Sequence, residues 1–181
     1  MSIRRPDPRH PGGDTPLEED PLASAFWIRT FLPTDGREVR ELVFGVLEEF
    51  GLAPDHAGTD LDLSDVERHY QTRGGEFWVV EDGRGRVVGT CGLWLDPDDA
   101  ERCELRKMYL RPEWRGRGLG GQLLELALGH ARGAGRRRVE LETNRAMTAA
   151  IGLYESRGFR EVEGEGGMSP RCDRRFALDL E

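Results

Sequence analysis

Cysteine is scarce in this 181-residue chain, with three in all: Cys91, Cys103 and Cys172. An odd number, set far apart and with no CxxC pair, gives no disulfide framework. With four scattered histidines it gives no zinc spacing either, so reduced thiols and no metal are expected. No run approaches the ~20 apolar residues that a membrane span needs. The opening Met1-Ser-Ile-Arg-Arg-Pro carries no apolar stretch of the kind that directs export, and a cytoplasmic chain is expected. Lysine is almost missing: Lys107 is the one lysine among 26 basic residues, against 34 acidic ones. The formal net charge of −8 argues against nucleic acid as the main partner, because phosphate binding needs a basic face. A local anion site stays open.

The length suits one domain. Residues 1–25 hold five of the ten prolines, two glycines and eight charges. Such a segment buries too little apolar surface to offset its ordering entropy, so it is expected to be a flexible tail before a folded domain over 26–181. Phe26–Leu32 reads as a strand. Thr34 and Asp35 offer N-caps to a helix whose apolar positions Val39, Leu42, Val43, Val46, Leu47 and Phe50 recur every three or four residues. Ser64 is expected to cap a shorter helix through Val66 and Tyr70. Strands follow over 76–81, 86–95 and 104–110, with the acidic run Asp96-Pro-Asp-Asp99 as a solvated hairpin loop. A helix from Gly118 to Ala131, a strand over 138–143, a helix over 147–156 and two closing strands complete the order βααβββαβαββ. This is an α/β chain, a mixed sheet with helices packed on it.

The chemistry concentrates in Arg115-Gly-Arg-Gly-Leu-Gly-Gly121, between a strand and a helix. Glycines there let a ligand approach main-chain N–H groups, and a helix start is a ready anion site. Gly116, Gly118 and Gly121 fit the spacing of a dinucleotide fingerprint, with Glu140 and Glu142 about where a ribose-binding acid would fall. Against that reading, the preceding strand carries Glu104, Arg106 and Lys107, unlike a buried parallel strand. Four residues separate it from Arg115, and the loop follows a meander instead of opening a βαβ unit. No GK[ST] supports a Walker A loop.

A second pattern covers far more. Met108-Tyr-Leu-Arg-Pro112 leads into Arg115-Gly-Arg-Gly-Leu-Gly120, which fits [QR]-x-x-G-x-[GA]. Then come the helix from Gln122, the strand Val139–Thr143 and Ala149-Ala-Ile-Gly-Leu-Tyr-Glu-Ser-Arg-Gly-Phe159, which fits AxxLYxxxGF. From Cys103 to Phe159, about a third of the chain, the sequence resembles the GNAT superfamily of N-acetyltransferases. The resemblance implies a GNAT-like fold with a mostly antiparallel sheet of six or seven strands. It also implies acetyl-CoA as the acetyl donor and an amine acceptor, a small molecule or a protein, with a homodimer left open. In such proteins the pyrophosphate meets the glycine loop, here Arg115, Gly116, Arg117, Gly118, Leu119, Gly120 and Gly121. The pantetheine arm meets the preceding strand, here the main chain of Met108, Tyr109 and Leu110.

Two side chains take catalytic roles on this resemblance. Tyr154 stands where a general acid often protonates the departing thiolate, and a phenol of pKa near 10 keeps its proton at neutral pH. Glu104, eleven residues before Arg115, is the candidate base for the acceptor ammonium, with an exposed strand glutamate the plain alternative. Met147 replaces an asparagine that often contacts the cofactor, and Asn144 is the candidate substitute. Cys103 reads as a small buried residue, Arg136–Arg138 as a solvated approach to a strand, with the 3′-phosphate of CoA as runner-up. Trp27, Trp78 and Trp94 read as core. The expected function is acetyl transfer from acetyl-CoA to a primary amine. The alternatives are a catalytically silent CoA-binding module and, less favoured, a nucleotide-dependent oxidoreductase. The acceptor-binding residues do not follow from sequence.

Overall fold

The alternating segments line up in one sheet. In the computed structural model, which describes residues 24–163 and 168–181, four strands form an antiparallel run. They are β1 (Phe26–Thr30), β2 (Glu76–Asp82), β3 (Val87–Leu95) and β4 (Arg102–Leu110). β5 (Arg138–Thr143) joins β4 in parallel. With β6 (Arg160–Glu161) and β7 (Arg174–Asp179) the order is β1-β2-β3-β4-β5-β7-β6. Residues 1–23 of the expected tail lie outside the described residues. Turn chemistry accounts for the meander: the Asp82 carboxylate accepts the N–H groups of Arg84 and Arg86, each at 2.9 Å. At the next hairpin the expectation of a solvated loop fails for Asp96. β4 starts two residues before Glu104, which brings Arg102 alongside, and Asp96 is buried, accepting its Nε at 2.9 Å and Nη2 at 2.5 Å.

Helices cover both faces. α1 (Gly36–Glu49) buries Val39, Leu42, Val43, Val46 and Leu47, each worth roughly 1.5–3 kcal/mol of transfer free energy. With the short α2 (Val66–His69) it packs a cluster containing Tyr70, Phe77 and Val79. α3 (Leu119–Gly133) and α4 (Thr148–Ser156) pack the other cluster, with Leu93, Leu123, Ile151 and Tyr154. The expected caps are corrected. Asp35 forms part of a 3₁₀ turn, so its carboxylate turns back to Leu32 N (2.8 Å) and Arg29 (2.7 Å) and does not cap α1. Asp65, not Ser64, caps α2 by accepting Arg68 N at 3.0 Å; the Ser64 hydroxyl donates to Leu61 O.

Two irregularities position the site. The β4/β5 pairing lasts only from Arg102/Arg138 to Glu104/Glu140, after which the strands part. Beyond the fork Thr90 faces Tyr109 while Gly92 faces Arg106, so Cys91 opposes two residues in a β-bulge. Lys107 sits in that bulge with φ +52°, the one non-glycine residue with positive φ among those described. A bulge bends and twists its strand. Alternation already sets Arg106 over Trp94 on the α1/α2 face, and the bulge turns Lys107 to that same face, onto Asp60.

Candidate active site

A cavity of about 690 Å³ opens at the fork. Tyr154 reaches it from α4, and Glu104, Met108 and Tyr109 from β4. Tyr154 is buried, tilted against Phe159 with ring centroids 5.8 Å apart. Burial pushes its phenol well up from the usual value near 10, with the neighbouring Cys91 and Tyr109 adding to the effect. The charged form is the costly one in a low dielectric, so the group keeps its proton. Glu104 lies opposite Trp94 on β3 and Glu140 on β5. Its Oε2 accepts Arg106 Nη2 at 2.5 Å, and Arg106 stacks 4.3 Å over the Trp94 ring. Burial raises Tyr109 to about 12, although Arg171 works against it.

A buried ionic network holds the cavity walls. Lys107 Nζ donates to Thr59 O at 2.7 Å and pairs with Asp60 (3.0 Å) and Asp62 (3.3 Å). Arg171 grips Asp60 with both Nη atoms at 2.6 Å, and Tyr70 donates its hydroxyl to Asp62. Burial alone would raise the Asp60 pKa; the Arg171 hydrogen bonds and the Lys107 charge outweigh it and hold the carboxyl below its usual range. Buried charges need such partners to remain ionised. The network ties residues 59–62 and 171 to the bulge.

The glycine loop lies beyond this cavity. Gly116 (φ +72°) and Gly118 (φ +78°) take left-handed conformations that favour glycine, and a Cβ at either would meet open space. Gly118 is the N-cap of α3 and no side chain caps it, which leaves the first-turn N–H groups without a side-chain partner, as an anion site requires. Leu119 is core, which leaves its N–H alone for a ligand. Gly120 and Gly121 pack against Leu153 and Arg157, where a Cβ would come to 3.2 and 3.1 Å. Arg115 does not aim at the loop: Nε donates to Leu110 O (3.0 Å) and the Nη atoms to the Glu49 carboxylate (2.6 and 2.7 Å). Arg117 lies 4.5 Å over Trp114.

Other expectations sort out by geometry. The Asn144 amide donates to Arg171 O and its Oδ1 accepts Ala146 N, both at 2.9 Å, so the side chain staples two loops. Cys103 is buried, and burial raises its thiol to about 12. Arg136 binds the carbonyls of Asp99 (2.8 Å) and Arg102 (3.3 Å) beyond the far end of α3 from the glycine loop, which takes it away from the CoA 3′-phosphate reading. Trp78 is core, but Trp27 is 54% exposed and Trp94 lines the cavity, both departing from the core expectation. Sequence reasoning missed Trp94, Arg106, Asp62, Lys107 and Arg171. The one signal available was Arg106 two residues after Glu104, on the same strand face.

A model of the acetyltransferase (GNAT) family matches residues 43–159. The uncharacterized N-acetyltransferase YjgM of Escherichia coli (strain K12) is 35% identical over 149 residues, covering 81% of this chain and 89% of that protein. A GNAT-family acetyltransferase of Staphylococcus aureus Mu50 has a similar solved structure, with a TM-score of 0.80 at 23% identity over 87% of this chain and 100% of that one. A GNAT superfamily phosphinothricin acetyltransferase of Sinorhizobium meliloti, solved in complex with acetyl-CoA, gives 0.67 at 21% identity over 86% and 88%. At such identities the solved structures speak for the fold alone.

Proposed function

The chain belongs to the acetyltransferase (GNAT) family, and from that premise we propose that it transfers the acetyl group of acetyl-CoA to a primary amine of a small molecule, by direct attack in a ternary complex. One observation carries the reading: Tyr154 and Glu104 line the same cavity at the fork between β4 and β5. The residues fit the donor. Gly116 to Gly121 offer uncapped N–H groups at a helix start for its pyrophosphate, and open space surrounds Gly116 and Gly118. The edge of β4 at Met108–Leu110, past the end of the β5 pairing, suits an amide-bearing arm added like a strand. Bound there, acetyl-CoA supplies an acyl group already activated as a thioester.

Each proton has a place in this scheme. An ammonium is not nucleophilic, so Glu104 takes a proton at Oε1, Oε2 being engaged by Arg106. Main-chain N–H groups near Met108 polarise the carbonyl. Tyr154, kept neutral by burial, gives its Oη proton to the departing sulfur, and the second proton that the nitrogen sheds as the amide forms replaces it. Calorimetric titration tests the reading: acetyl-CoA binds and NAD does not, and thiol is released with an amine panel. No heat with acetyl-CoA refutes it. Binding without thiol release from any amine replaces it with a silent CoA-binding module.

A further inference from the structure

We propose that Thr90 is a positioning residue for the transfer step: its hydroxyl, with the anchored side chain of Lys107, locks the Lys107–Met108 peptide so that its N–H meets the thioester carbonyl in the fork. This rests on the acetyl-transfer reading and deepens it. A β-bulge takes one residue of the longer strand out of the regular ladder. Here Cys91 stands against two residues of β4, and Lys107 is the one in the left-handed region, at φ +52°. A buried carbonyl needs a partner. The Thr90 hydroxyl, on β3 and fully buried, donates to Lys107 O at 2.7 Å.

The direction of that bond sets the direction of the next N–H. In a trans peptide the C=O and N–H point opposite ways, and no peptide among the described residues is cis. Lys107 O points to β3, so the Met108 N–H points away from it, to the edge of β4 that β5 leaves free after Glu104/Glu140. Met108 lines the cavity there with Glu104 and Tyr154. A second hold keeps the plane from turning: Lys107 Nζ is tied to Thr59 O at 2.7 Å and to Asp60 at 3.0 Å, its side chain 3% exposed. A left-handed lysine is costly, and such residues persist where their surroundings fix them. Without the Thr90 hydroxyl one of the two holds is lost. Turned over, the peptide would set its own oxygen against the thioester oxygen, repelling the charge that the N–H attracts.

Selective labels isolate this peptide. Lys107 is the one lysine, so protein made with lysine labelled at the carbonyl carbon and methionine labelled at nitrogen carries a single doubly labelled bond, Lys107–Met108. Its amide NMR signal is expected to move by a different amount with acetyl-CoA than with CoA, which lacks the carbonyl. Equal movement with both overturns the placement of the N–H, and needs no variant that folds. Thr90→Val keeps the shape and removes the hydroxyl. With the amine that turns over fastest in the panel, its kcat is expected to fall about tenfold to a hundredfold while KM for acetyl-CoA stays within about threefold, and Thr90→Ser is expected to recover the rate. The signal difference between acetyl-CoA and CoA is expected to vanish in Thr90→Val and return in Thr90→Ser. A valine variant with unchanged kcat and signals, or a loss that serine does not recover, assigns Thr90 to packing and refutes the proposal. Protein that binds no acetyl-CoA removes instead the acetyl-transfer reading beneath it.

Discussion

Tyr154→Phe removes one oxygen and almost nothing else. The ring is 5% exposed and packed in the core cluster that α3 and α4 build, and phenylalanine fills the same volume. Nothing in its surroundings hydrogen-bonds the hydroxyl among the described residues; burial and nearby Cys91 and Tyr109 set its acidity. Stability should therefore move by less than about 1 kcal/mol, or no more than about 4 °C in Tm for a chain of this size. The catalytic loss is larger. General acids contribute about 10²–10⁴-fold. Burial makes this phenol a weaker acid than the thiol it serves, whose pKa is near 8.5, so complete transfer runs uphill and the lower end applies. We expect kcat to fall about a hundredfold, ~2.7 kcal/mol of barrier. Because the phenol keeps its proton to beyond pH 10, the wild type should show no alkaline decline traceable to it. Steady-state thiol release and thermal unfolding of the two proteins decide the matter. A loss under about threefold with Tm intact would refute the acid role, and a loss with a large fall in Tm would reassign Tyr154 to packing.

Two further substitutions probe the walls and the loop. Asp60→Asn leaves Lys107 and Arg171 buried without their shared counter-charge and should cost about 3–5 kcal/mol, or ~6–20 °C in Tm. Because the folded-state pKa of Asp60 is depressed, its contribution is present above the ordinary carboxylate value of about 4 and is lost as pH falls through the depressed one. Urea unfolding at pH 7 and pH 3 should thus show the gap between the two proteins narrowing in acid, and an equal gap at both pH values would count against the pairing. In Gly118→Ala the new Cβ meets open space, so the cost is the left-handed backbone alone, about 1–2 kcal/mol. If the loop holds the pyrophosphate, acetyl-CoA affinity should fall about tenfold by calorimetry; unchanged affinity would move the phosphate elsewhere.

The elements were legible because their causes are local. The aromatic and β-branched run Phe77–Val80 and the three-and-four spacing of Val39 to Leu47 need no distant partner to be read, and the Gly116/Gly118 turn is written in residues that tolerate positive φ. Asp96 misled because its partner, Arg102, is close in sequence but reaches it only across a closed hairpin. Arg115 looked like free charge for a phosphate until α1, 66 residues away, brought Glu49 to it. Lys107 carries no sequence sign of the bulge that buries it.

By itself, then, the sequence determined the kinds of element, their order, the glycine loop and the tyrosine in its helix, each set by propensity and period within a few residues. Only the tertiary structure decided that β4 would part from β5 after Glu104, and that two adjacent side chains would turn to one face there. It also decided which carboxylate each arginine would hold. Those outcomes depend on contacts between segments far apart in the chain, where burial sets the strength of every charge.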